Sequence, residues 1–218
     1  MKRYRLLIFD MDGTLYDQRA LRLRMVWEVG RYYFCHPRKW LDVAILLVFR
    51  WQRERQRFWS RQGVVFEQLQ YEQTARFLSV PAERVRQVVR CWMFERPLRW
   101  LPDMGDAVLL AFLRRQPVGR LAIYSDYPAR EKALCLGLTT PCIFASTDEV
   151  INAMKPSPQG IRVILEQMAA APEDCLMVGD RDDRDGEAAR CAGVDFLLLP
   201  QEKKMRRAVV AELVRTQE

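Results

Sequence analysis

Two carboxylates two residues apart, Asp10 and Asp12, follow the apolar run Leu6-Leu7-Ile8-Phe9 and lead straight into Gly13-Thr14. A buried strand ending in acid and turn delivers both groups to the carboxyl edge of a sheet, where open α/β sheets bind ligands. There one carboxylate can attack and the other can move protons. On its own the pattern is also an ordinary strand-to-turn junction, so its meaning depends on what else the chain supplies. Ser125-Asp126 closes the run Leu121-Ala122-Ile123-Tyr124, where a hydroxyl and the following backbone N–H groups could hold a phosphoryl oxygen. Lys155-Pro156 puts an exposed-looking cation before a helix that Ser157 could cap, in a chain with very few lysines. The segment Gly179-Asp180-Arg181-Asp182-Asp183-Arg184-Asp185-Gly186 gathers four acids directly after a strand. Clustered acids repel unless a cation sits among them; Mg2+ is the natural one, and Arg181 and Arg184 are the alternative neutralisers.

These groups act together only if the chain brings them to one edge. Arg5 to Asp10, Leu121 to Ser125, Cys142 to Ala145 and Cys175 to Asp180 read as short buried strands, with Asp195 to Leu199 as a fifth. Helical patterns separate them, the clearest placing Ile161, Ile164, Leu165 and Met168 at i, i+3, i+4, i+7. Strands alternating with helices imply a parallel sheet covered on both faces, an α/β, Rossmann-like core formed by residues 1–15 and 101–218. Residues 16–100 lack strand-like runs and are dense in Arg, Gln, Trp and Phe. Val85, Val88, Val89 and Trp92 make one helical stripe there, and Pro81 stands where it could open that helix. This region is expected to be an all-helical insertion, hinged at Asp17-Gln18 and between Arg96-Pro97 and Leu101-Pro102.

With four such segments in order, the chain resembles the haloacid dehalogenase superfamily, in particular its phosphatase branch with an inserted helical (C1-type) cap. Asp10-Met11-Asp12-Gly13-Thr14 matches the first motif of that family, Ser125 the second, Lys155 the third, and Asp180 with Asp185 the fourth. The resemblance implies an aspartyl-phosphate formed on Asp10, with Asp12 as general acid and base. It implies phosphate contacts from Ser125, Asp126 and Lys155. It also implies Mg2+ held by Asp10, the Asp12 backbone carbonyl, Asp180 and Asp185, with Asp182 and Asp183 competing for the last place. Asp12 argues against carbon–halogen cleavage, because dehalogenating members lack an acid there and have no leaving oxygen to protonate. A phosphomutase would use the same core. A phosphonatase would need a cap lysine, and Lys39 is the only lysine of the insertion.

A formal charge of +7 favours anionic partners of any kind. The expected partner is a small, anionic, phosphorylated substrate, and nucleic acid is not expected. Arg50, Arg53, Arg57 and Arg61 would share one helical face, with Trp51, Phe58 and Trp59 on another. That arrangement is either a solvated basic face over an aromatic core stripe or, as the lesser alternative, a contact for an anionic membrane or nucleic acid in a protein whose catalysis is secondary. The opening apolar run stops at Asp10, so no secretory signal is expected, and residues 43–49 are far short of the ~20 needed to span a bilayer. Six scattered cysteines fit reduced thiols in the cytoplasm, and the lone His36 fits a structural role better than a metal site.

Overall fold

A computed structural model of the chain describes residues 2–56, 66–140 and 142–217. Five parallel strands run β1 (Leu6–Asp10), β2 (Leu121–Ser125), β3 (Ile143–Ala145), β4 (Cys175–Gly179) and β5 (Asp195–Leu198), in spatial order β3-β2-β1-β4-β5. The alternation of side chains along a strand sends each one to both faces. Leu7 and Phe9 of β1, Leu121 and Ile123 of β2, and Leu176 and Val178 of β4 share one core. Leu6 and Ile8, Ala122 and Tyr124, and Cys175 and Met177 share the other. Strands apolar at every position are thereby buried on both sides, which is why they read as unbroken apolar runs. At the edge, β5 is half exposed.

The helices follow in chain order as α1 (Gln18–Cys35), α2 (Trp40–Gln56), α3 (Phe66–Leu78), α4 (Ala82–Val89), α5 (Leu101–Met104), α6 (Ala107–Arg114), α7 (Arg130–Cys135), α8 (Gln159–Gln167), α9 (Glu187–Ala192) and α10 (Lys203–Gln217). Leu109, Phe112 and Leu113 of α6 pack on the first face of the sheet with Val210 and Leu213 of α10. Ile161, Ile164 and Leu165 of α8 cover the second with Ala188 and Ala189 of α9. All elements described between β1 and α6 are helical, and they have their own core around Tyr33, Ile45, Phe49, Tyr71 and the stripe Val85, Val88, Val89 and Trp92. Pro81 caps α4, whose ordinary helical turns pass into a π-helical stretch from Arg90 to Glu95.

The two chain passages between sheet and insertion lie side by side. Asp17 N–H donates to the Met104 carbonyl and Asp106 N–H to the Leu15 carbonyl, both at 2.9 Å. Asp17 caps α1 by accepting from Ala20 N–H, so the outgoing strand turns to helix at that residue. On return, the 3-10 turn Arg96–Trp100 runs on through α5, and the chain re-enters the sheet layer at Gly105.

Phe9, at the middle of the central strand, is fully buried. Phe9→Ala is expected to cost about 3–5 kcal/mol, read as a lower urea midpoint at unchanged slope. A loss below about 1 kcal/mol would mean that this core is loosely packed.

Candidate active site

β1 ends on Asp10 next to Tyr124 of β2, so the central strand of the sheet presents its terminal carboxylate between the neighbouring strand ends. Lys155 Nζ lies 2.5 Å from Asp10 Oδ1 and 2.6 Å from Asp185 Oδ1. The exposed lysine expected from the sequence is in fact buried, at 2 % exposure. Its own N–H donates to Asp126 Oδ1 at 3.0 Å, which pins the loop while the side chain extends inward. Burial alone would push the ammonium down, but Asp10 and Asp185 hold it well above the ordinary lysine value, so it stays charged. Ser157 accepts from Gln159 N–H at 3.3 Å just before α8. Asp126 Oδ1 accepts from Lys155 N–H and from Ser146 Oγ at 2.9 Å, which ties the loop after β2 to its neighbours on the wall of the cleft.

Asp10, Asp180 and Asp185 each place a carboxylate oxygen within 4.8 Å of the others. Asp10 Oδ2 is buried without a hydrogen-bond partner, and Asp185 Oδ1 meets Lys155 by charge alone. Burial pushes Asp10 well above the usual carboxylate range; Lys155 pulls it back, and Asp185, Asp12 and Asp180 push it further up. Burial and then Asp185 raise Asp180 as well. A cluster so short of positive charge suits a divalent cation, and three hard carboxylate donors fit Mg2+. The backbone leaves no room beside these acids. A Cβ on Gly179 would stand 2.5 Å from Asp185 Cγ, and one on Gly13, whose φ is +103°, would stand 2.4 Å from Asp180 Oδ2. The rivals for the fourth-motif acid face outward. Asp183 is paired with Arg181 at 2.7 Å and Asp182 with Arg190 at 2.9 Å, which leaves Asp185 in the site.

Asp12 points away from the three-acid cluster. It accepts from Lys132 Nζ at 2.6 Å, from Ser125 Oγ at 2.8 Å and from the Tyr16 hydroxyl. Burial pushes this carboxyl up, but the Lys132 charge and the three hydrogen bonds outweigh it and leave Asp12 below the usual range. Any metal contact from Asp12 would therefore come from its backbone. Ser125 Oγ, besides donating to Asp12, accepts from Tyr127 N–H at 3.1 Å. The sequence reading missed Lys132 and Tyr16. The signal available for Lys132 was its rarity in a chain of six lysines, the same argument that singled out Lys155.

The insertion closes over these loops. Arg53 of α2, expected on a solvated basic face, is buried; it donates to Gln70 Oε1 at 2.7 Å and to the Asp126 carbonyl, with its guanidinium 4.2 Å from the Tyr127 ring centre. Its neighbour Glu54 accepts from Arg184 at 2.8 Å. One helix end thus touches both the second- and fourth-motif loops. Arg57 and Arg61, with Phe58 and Trp59, lie outside the described residues. Lys39 donates to the Tyr32 hydroxyl on the surface and does not line the cleft, while His36 stacks on the Tyr32 ring. The cleft itself, about 1130 Å3, is lined by Asp10, Asp12, Lys155, Asp180 and Asp185, and runs out between α1 and α10.

Without metal, Asp10 and Asp180 oppose folding at neutral pH: a carboxyl raised in the folded state contributes stability below its unfolded pKa and loses it as pH rises through the raised value. Asp180→Asn is therefore expected to raise the Tm of the metal-free protein at neutral pH by roughly 2–4 °C, the shift that about 1 kcal/mol makes at this size. Added Mg2+ should raise the wild-type Tm and leave the variant nearly unmoved. A lower Tm for the variant in chelator would contradict the repulsive cluster.

The sequence profile of haloacid dehalogenase-like hydrolases matches residues 4–193. A phosphoserine phosphatase of Thermus thermophilus is 31% identical over 114 residues, which are 51% of this chain and 45% of that one, so the chain spans less than half of that relative's length. Among solved structures, the defluorinating L-2-haloacid dehalogenase Rha0230 superposes with a TM-score of 0.59 at 16% identity, covering 91% of this chain and 82% of that one. The HAD-hydrolase YfnB from Bacillus subtilis, solved bound to magnesium, superposes with a TM-score of 0.59 at 19% identity, covering 94% and 92%. Phosphatase and dehalogenase names both occur among these relatives, and at such identities the structures speak for the fold alone. The parallel sheet, the order of the four motifs along it and the profile match over most of its length together make this chain a member of the haloacid dehalogenase-like hydrolases.

Proposed function

We propose that this chain is a Mg2+-dependent phosphatase that hydrolyses a phosphate monoester through an aspartyl-phosphate on Asp10. The observation that carries this reading is Asp12: a second acid, beside the nucleophile and fixed by Lys132, Ser125 and Tyr16. A departing halide needs no proton, whereas a departing alkoxide does. The 31% identity to a phosphoserine phosphatase over half of the chain supports the same choice. The distance of Lys39 from the cleft speaks against a Schiff-base phosphonatase.

An Asp10 carboxylate approaching an anionic phosphate ester meets like charge, so the site must supply cations first. Lys155 does so from 2.5 Å. When bound among Asp10, Asp180 and Asp185, Mg2+ would add two further positive charges and orient the phosphoryl oxygens, as suits a family in which YfnB was solved with magnesium. Asp10 then bonds to phosphorus as the ester P–O bond breaks, and Asp12 gives its proton to the leaving oxygen. The Lys132 pair keeps Asp12 ionised before substrate arrives, so a singly protonated phosphate ester brings that proton in. In the second step Asp12 takes a proton from the water that opens the aspartyl-phosphate. Arg53 and Glu54 fasten the end of α2 to both motif loops. Six free thiols support a reducing compartment, the cytoplasm.

The test is phosphate release from a panel of metabolite esters with MgCl2. Asp10→Asn should lose at least about a thousandfold in kcat. Wild-type protein that releases halide from 2-haloacids and no phosphate from any ester would overturn the reading, and transfer of phosphate to a second sugar position would make it a mutase. If Lys132 positions Asp12 for proton donation, Lys132→Met should slow alkyl phosphates by about ten- to a hundredfold and hardly affect p-nitrophenyl phosphate, whose leaving group needs no proton. Equal losses on both substrates would assign Lys132 a purely structural role.

A further inference from the structure

We infer that the outer face of α1 docks on an anionic lipid surface, so that one wall of the catalytic cleft lies beside the headgroups. Leu23, Val26, Trp27, Gly30 and Phe34 recur at i, i+3, i+4, i+7 and i+11, one side of a helix of this length. Leu23, Val26, Trp27 and Phe34 are 73%, 71%, 56% and 81% exposed. The opposite side of α1 is also apolar and meets the protein through Leu21 and Tyr33. A helix apolar on both sides has one face that folding of the described chain leaves in water.

Charge decides what covers that face. Arg24 and Arg31 flank the stripe, each 5.3 Å from the Trp27 ring centre, and Arg19 and Arg22 stand at its cleft end. The single acid of α1, Glu28, is buried and held by Arg99 and by Trp100 Nε1 at 2.9 Å. The exposed side of α1 is thus apolar and purely cationic. A second copy related by a two-fold axis through this helix would set these arginines against themselves with no acid of α1 to pair them. Anionic headgroups pair them at once, while Trp and Phe rings sit at the depth of the interface. No helix among the described residues is long and apolar enough to cross a membrane, so α1 would lie on the surface.

The stripe is continuous with the site. Arg19, Arg22 and Leu23 line the same cleft as Asp10, with Lys203 and Arg207 of α10 also on its walls. Docking of α1 therefore sets one wall of the cleft beside the lipid. The sequence alone offered such a contact at Arg50, Arg53, Arg57 and Arg61 as an alternative to a solvated face; Arg53 is buried, whereas the stripe on α1 is exposed.

The experiment is co-sedimentation of the full chain with phosphatidylcholine vesicles, with and without phosphatidylserine. Wild-type protein should pellet with the anionic vesicles at low salt and be released at high salt. Trp27→Ser/Phe34→Ser, checked by circular dichroism for an unchanged fold, should bind at least about tenfold more weakly. Absence of binding to anionic vesicles, or equal binding by the variant, would overturn the inference. So would a wild-type dimer that the same variant converts to monomer, because a second copy would then cover the face. The readout is binding alone, so its failure is distinct from any failure of the phosphatase reading.

Discussion

A lysine ammonium withdrawn from water between two carboxylates is the interaction on which the site depends. Lys155 is stable there as a cation because Asp10 and Asp185 replace its lost hydration, and those acids tolerate burial because Lys155 answers part of their charge. The three groups come from the ends of β1 and β4 and from the loop before α8, so the pairing holds only while the sheet brings those ends together. The balance is incomplete: three acids face one ammonium, and Asp10 Oδ2 has no partner. That deficit suits the place to a divalent cation.

Around that cluster the fold keeps opposite tendencies a few ångströms apart. Asp10 is driven toward its protonated form by burial and neighbouring acids, while Asp12, two residues on, is held ionised by Lys132. Separate environments for adjacent carboxylates are how one site assigns different tasks to chemically identical groups. The short turn after β1 makes this possible by sending the two side chains to different walls. The insertion contributes from above, with the end of α2 fastened through Arg53 to the Ser125 loop and through Glu54 to the Asp180 loop. Movement of that helix would be felt by both loops at once, a direct coupling between the insertion and the chemistry.

Much of this was legible in the chain. The five strands fall within a residue or so of the apolar runs that announced them, because a strand buried on both faces must be apolar throughout and must stop where polar groups are needed. Asp10 and Asp180 were named from strand ends, Lys155 as a rare lysine before a helix, and Asp185 from the resemblance to the family, and the structure brings all four together. The stripe of Val85, Val88, Val89 and Trp92 was legible for the same reason, since a helix buries what recurs on one side. The misreadings concern environment. Lys155 looked exposed because it stands in a loop before a helix, yet it is buried; Arg53 looked like one of a solvated set, yet it roofs the site.

The sequence by itself determined the class of fold and the acids at the strand ends, because these are local: a period of two or of 3.6 residues, and a carboxylate following an apolar run, are complete within a few positions. Only the tertiary structure decided which partners those acids have. Lys132 meets Asp12 across 120 residues of chain, and Lys155 meets Asp10 across 145. Among three acids within four residues, Asp185 faces inward and Asp182 and Asp183 pair with arginines outside. Charge, burial and pairing are properties of what folding brings near, and no local pattern contains them.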